Sequence, residues 1–144
     1  MPLWNSRFKK PLDPRALKFS SSIELDKRLY NEDIDGSIAH VRMLAKQKII
    51  PAADARVIVR GLQQIRKEIA SGKLKTNWRD EDIHTFIEER LVKKIGEKGK
   101  RLHTARSRND QIALDERLYL RKEIKLTIDA IRKLQRSLLK QAKK

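Results

Sequence analysis

Between Ser107 and Lys144 the chain contains neither glycine nor proline. A run of that length predicts one helix of more than 30 residues. Within it Ile124, Ile128, Ile131, Leu134 and Leu138 step by four, three, three and four, and Leu120, Leu126 and Leu139 widen the stripe. A helix this long exceeds the usual length in a compact domain, and the shorter helices upstream cannot cover its apolar face. The expected fold is all-α: a small N-terminal helical domain leading into the first long helix of a central helical bundle, completed by more chain or by other subunits. Leu139 to Lys144 carries no Gly, Asn or Pro as a stop signal. The terminal lysines suit the dipole of a natural helix end, but truncation accounts for the missing stop equally well.

The upstream sequence divides by pattern. Residues 1–30 hold three of the four prolines and the serine run Ser20-Ser21-Ser22, and they read as an irregular arm. Residues 31–104 read as the N-terminal helical domain, and 105–144 as the start of the long bundle helix. In the first helix Asn31 or Asp33 can cap, and Ile34, Ile38, Val41 and Ala45 recur at helical spacing to about Lys48. Pro51 suits the first residue of a second helix, along which Ile58, Leu62, Ile65 and Ile69 form one stripe before Gly72. Asp80-Glu81-Asp82 opens a third, with Ile83, Ile87 and Leu91, ending near Gly96 or Gly99.

Composition excludes several classes. There is no cysteine, hence no disulfide framework and no thiolate metal site, and this suits a reducing cytosol. No apolar h-region follows the basic N-terminus, and no apolar stretch approaches the length of a membrane span. The 35 Lys and Arg against 19 Asp and Glu give a net charge of +16, enough to attract anions of any kind. A basic helical nucleic-acid-binding or interaction module is therefore an alternative reading. Residues 117–144 carry only Glu123 and Asp129 as acids. Against it, no aromatic beyond Tyr119 interleaves with those bases, and no zinc-finger, Gly-rich or RNA-recognition signature accompanies them.

The segment Leu102-His103-Thr104-Ala105-Arg106-Ser107-Arg108-Asn109-Asp110-Gln111 falls at the entry to the long helix. Free backbone N–H groups and a positive dipole end favour an anion there. Arginine adds a fork matched to carboxylate, and Asn109 an amide that both donates and accepts. A small polycarboxylate suits such a site. The same letters also serve purely structural ends, with Ser107 and Asp110 as a capping pair and the arginines solvated.

The run Leu102 to Gln111 resembles the signature of argininosuccinate lyases and the related delta-crystallins, within the fumarase/aspartase-type lyase superfamily. Three further stretches agree in order and spacing. Trp4 to Phe8 is similar to the family's opening Trp-Gly-Gly-Arg-Phe, Asp35-Gly36-Ser37-Ile38-Ala39-His40 to its Gly-Ser-x-Ala-His element, and Asp80-Glu81-Asp82-Ile83-His84 to its Glu-Asp-Ile-His element. The similarity runs over essentially the whole chain, which is about a third of the family's usual length. Ala105 stands where the family usually has Gly, and Asn5-Ser6 replaces its Gly-Gly pair. If those glycines use positive φ, the substitutions put the local loop geometry in question.

The resemblance implies a carbon–nitrogen lyase of arginine biosynthesis that cleaves argininosuccinate into arginine and fumarate. The reaction abstracts a carbon-bound proton beside a carboxylate and expels the guanidinium, which requires a positioned base and acid. In the family these come from a Thr-His element and a Gly-Ser-Ser-x-Met-Pro-Gln-Lys loop, neither of which occurs in these 144 residues. No catalytic residue is therefore expected within this chain, which is expected to be inactive alone. The substrate-binding residues that carry over are Ser22, from the family's Phe-x-x-Ser stretch, and Asn109, from its Arg-Ser-Arg-Asn. Arg108 follows as a carboxylate partner, with Asp82 and His84 as supporting residues. His84 read alone is as well explained as a satisfied structural histidine, and His40 and His103 are read as structural. The family further implies a homotetramer in the cytoplasm, with argininosuccinate as small-molecule partner, no membrane and no nucleic acid. It implies neither a metal nor a cofactor.

Overall fold

A computed structural model describes residues 13–77 and 80–143, and all regular structure among them is helical. Trp4 to Phe8 and the Asn5-Ser6 replacement lie outside the described residues. The helices are α1 (Pro14–Ser20), α2 (Ile23–Asp26), α3 (Tyr30–Lys46), α4 (Ala52–Ala70), α5 (Ile83–Ile95) and α6 (Arg108–Ala142). Two 3-10 segments, Lys27–Leu29 and Gly96–His103, lead into α3 and towards α6.

The stretch expected to be irregular is thus helical over Pro14–Ser20 and again from Ile23 to Leu29, with Ser21 and Ser22 between. Asp13 caps α1 by accepting from Arg15 N at 2.8 Å, and Pro14 supplies a preset φ in the first turn. Proline, taken in the sequence as an interruption, acts here as a start signal. The expected capping role of Asn31 or Asp33 is also corrected: α3 begins at Tyr30, so both lie inside its first turns. Pro51 is the N-cap of α4 rather than its first residue, while Asp82 caps α5 and Ser107 caps α6.

Helices α3, α4 and α5 form one core. Ile34, Val41 and Leu44 from α3, Ile58, Leu62 and Ile65 from α4, and Ile83, Ile87 and Leu91 from α5 are all fully buried. Leu102 from the second 3-10 segment joins them at 1% exposure. A Cβ on Gly61 would stand 2.7 Å from Leu91 Cδ1, so glycine lets α4 approach α5 without displacing that side chain. Arg66 ties α4 to α3 through Asp35 and through the Asn31 carbonyl at 3.2 Å.

Helix α6 packs its first turns on α3. Only Gln111 and Asp115 of α6 are buried, and a Cβ on Gly36 would meet Leu114 Cδ2 at 2.9 Å. Beyond that contact its stripe is open: Leu120, Ile124, Leu126, Ile128, Ile131, Leu134, Leu138 and Leu139 are between 42% and 62% exposed. No helix among the described residues is long and apolar enough to cross a membrane.

Candidate functional site

Ser22 and His84 line one groove of about 490 Å³, whose floor and wall include Ile112, Glu116 and Tyr119 of α6. The Ser22 segment is fixed against the α5 entry by two hydrogen bonds: Ser22 N donates to Glu81 O at 2.9 Å, and Ser21 Oγ to Asp80 O at 2.8 Å. Asp26 holds both sides, its Oδ2 accepting from Ser22 Oγ at 2.6 Å and its Oδ1 from Ile83 N at 3.1 Å. Burial raises its pKa, against the opposing hydrogen bond from Ser22. Asn109 is exposed one turn before Ile112, on the strip of α6 that continues into the groove.

The other nominated residues are committed within the chain. Asp82 does helix-start work, its Oδ1 accepting from Thr85 N at 2.6 Å and its Oδ2 from Thr85 Oγ1 at 3.2 Å. Arg108, expected either to meet a ligand carboxylate or to be solvated, does neither. Its NH1 and NH2 donate to Glu88 Oε1 and Oε2 at 3.2 and 3.3 Å, and NH1 also donates to Gln111 Oε1 at 2.6 Å. A carboxylate fork is present, but an internal one. His103 joins the same glutamate through Nδ1 at 2.9 Å, and His40 Nε2 lies 2.9 Å from the Thr104 carbonyl, so both are structural as read.

His84 is 1% exposed at the centre of a buried polar network that sequence reasoning did not assemble. Its Nδ1 lies 3.0 Å from Asp33 Oδ1 and 3.4 Å from Asp115 Oδ2. Gln111 Nε2 donates to the same Asp33 oxygen, Arg106 NH2 stands 3.8 Å away, and Arg106 NH1 donates to Ser37 Oγ at 3.0 Å. Asp33 and Ser37 share a face of α3 at i, i+4, as Gln111 and Asp115 do on α6, and that spacing was the available signal.

Burial opposes charge on His84, but the Asp33 hydrogen bond and the negative charges of Asp33, Asp82 and Asp115 outweigh it, and its pKa rises. Burial, reinforced by the Asp33 charge, pushes Asp115 up to about 8. Burial lowers Arg106 despite the nearby carboxylates. Asp33, His84 and Asp115 bring potential metal-ligand atoms within 4.8 Å of one another. Arg106 and Gln111 already address Asp33, however, so the positive charge a cation would bring is supplied by the chain itself.

Ala105 takes φ 52°, the left-handed conformation that favours glycine. Alanine here holds a conformation glycine adopts more readily, and the peptide turns Arg106 inward and sets Ser107 to accept from Asn109 N at 3.2 Å.

The all-helical core brings a serine-bearing turn and the first turns of a long, half-uncovered helix to one groove. The chain belongs to the lyase family, whose model matches residues 6–144. Among curated relatives it is similar to argininosuccinate lyases: 56% identical to that of Geotalea daltonii and 55% to that of Geobacter metallireducens, each over 99% of this chain. It is 60% identical to that of Pelobacter propionicus over 85% of this chain. The chain spans about 31% of the length of the first two and 27% of the third.

Proposed function

We propose that this chain is the N-terminal part of a cytoplasmic, homotetrameric argininosuccinate lyase, and that it contributes groups that hold substrate for cleavage to arginine and fumarate. The observation that carries the reading is the meeting of Ser22 and the α6 strip below Asn109 at one groove, although the two segments are far apart in the chain. Ser22 Oγ and the Asn109 amide supply neutral hydrogen-bond groups. Arg108, which the resemblance offers as a carboxylate partner, lines a different cavity with Glu88 and His103 and is held there by Glu88, so its part in binding rests on the resemblance alone. His84 and Asp82 support the wall from behind, the first through Asp33 and the second through the α5 cap.

No group here is assigned the proton transfers, since the Thr-His and Gly-Ser-Ser elements that resemblance credits with them do not occur in these 144 residues. The nucleic-acid reading is disfavoured by the face of α6 itself, where half-exposed Leu and Ile alternate with the basic residues; a phosphate backbone offers nothing to match them.

The test is fumarate release from argininosuccinate, followed by ultraviolet absorbance. The 144-residue chain alone should release none. In a longer protein that contains this segment, Ser22→Ala and Asn109→Ala should each lower kcat/KM by about a hundredfold, of the order expected when a buried polar contact to substrate is lost. Turnover by the isolated chain, or unchanged kinetics in both variants, would overturn the assignment.

A further inference from the structure

We propose that the groove between α3 and α4 is a second, separate site that binds a small organic polyanion with an apolar body. It is a cavity of about 510 Å³ lined by Arg42 and Ala45 of α3 and by Ala52, Ala55, Arg56, Val59 and Arg60 of α4. That volume is in the range of small-ligand sites. The rim is three arginines and the floor is small apolar side chains, with no acid among the lining residues.

The arginines are what mark the groove out. All three are exposed, none has a carboxylate partner among the described residues, and they converge on the one groove. Arg56 and Arg60 sit at i, i+4 on one helix face, a like-charge spacing that disfavours the helix. Asp54, the acid in the first turn of α4, cannot relieve them, because Lys98 at 3.0 Å and Arg101 at 2.5 Å already hold its two oxygens. The N-cap of α4 is Pro51, which offers no side-chain acceptor, so the first N–H groups of this 19-residue helix add their positive end to the same rim.

Three guanidinium forks exceed what one carboxylate neutralises and suit two or three anionic groups. The Ala and Val floor has nothing to offer a hydrated inorganic ion, but it does fit an apolar framework carrying those charges. Carboxylate and phosphate share this chemistry.

The experiment is calorimetric titration of the whole chain with benzene-1,3,5-tricarboxylate and, separately, with trimetaphosphate, which carries the same three charges but no apolar body. The variants are Arg42→Gln/Arg56→Gln/Arg60→Gln and, as a control for general charge, Arg121→Gln/Lys125→Gln/Lys133→Gln. Circular dichroism confirms that each is folded. The expected result is one saturable site below about 1 mM for the tricarboxylate, weakened about tenfold or more in the groove variant and unchanged in the control, with trimetaphosphate weaker than the tricarboxylate. Trimetaphosphate binding as tightly would show that the floor contributes nothing and would overturn the proposal. So would equal losses in both variants, or the lack of a saturable site in the parent chain.

Discussion

His84 Nδ1 and Asp33 Oδ1 stand 3.0 Å apart, with their side chains 2% and 1% exposed, and join α5 to α3 through a polar contact in an otherwise apolar core. Removing one member of such a pair strands the other without solvent, which costs about 3 to 5 kcal/mol. Asp33→Ala should lower unfolding stability by that amount, because His84 and Gln111 lose the same acceptor and Arg106 loses a carboxylate charge 3.8 Å away. Asp33→Asn keeps the shape and one acceptor oxygen, and should cost less, about 2 kcal/mol. Urea titration followed by circular dichroism measures both; equal stability of the Ala variant and the parent would contradict the network.

The same network gives stability a sign with pH. His84 and Asp115 both have raised pKa values in the folded chain, and Asp26 shifts the same way. A group raised on folding contributes stability that is complete below its unfolded pKa and is lost as pH climbs through the folded one. For Asp115 that window runs from the ordinary carboxylate range near 4 up to about 8, and for His84 it opens above the ordinary imidazole value of about 6.5. The exposed Asp13 and the half-buried Glu68, shifted down by their Arg15 and Lys94 hydrogen bonds, act only in acid and leave this window untouched. The urea midpoint should therefore fall between about pH 6 and pH 9, and Asp115→Asn should remove much of the fall. A midpoint that rises over that range would refute the assignment.

The helices were legible in the sequence wherever apolar spacing carried the signal. Ile58, Leu62 and Ile65, and likewise Ile83, Ile87 and Leu91, are buried along the stripes their spacing predicts. Pro14 to Leu29 was not legible, because α1 buries no residue and so leaves no periodic trace; only its Asp-Pro cap marks it. Ser22 and Asn109 came from motif resemblance, and the groove that brings Ser22 to Ile112 and Glu116 of α6 depends on long-range hydrogen bonds such as Ser22 N to Glu81 O, which no local pattern encodes. Asp33 and Asp115 escaped for the opposite reason. An acid on a helix reads as solvated unless its partners on other helices are known, and here those partners are His84, Gln111 and Arg106.

The Ala105 backbone makes a local claim that a single substitution decides. At φ 52° an alanine bears about 1 to 2 kcal/mol of steric strain, whereas glycine is free of it but loses about 0.5 to 1 kcal/mol of chain entropy on ordering. Ala105→Gly should therefore raise stability by about 0.5 to 1 kcal/mol while leaving the Ser107 cap and the inward Arg106 in place. A destabilised variant would mean that the residue does not occupy the left-handed region in solution.

The stripe on α6 makes the last prediction, and the magnitudes decide its form. Leu120, Ile124, Leu126, Ile128, Ile131, Leu134, Leu138 and Leu139 are about half covered, so completing their burial gains about 1 kcal/mol for each. Association costs about 4 to 15 kcal/mol in lost freedom. One such helix against another surface gains about 8 kcal/mol, inside that range, whereas two stripes burying one another gain about 16 kcal/mol and exceed it. The 16.9 kDa chain should accordingly sediment as a dimer or larger species in a concentration-dependent way. Ile128→Gln, Ile131→Gln and Leu134→Gln together should leave a monomer with its helical core intact, since none of the three belongs to the buried set on α3, α4 and α5. If the parent chain sediments as a monomer at high concentration, the stripe is not self-complementary and its cover must come from different residues.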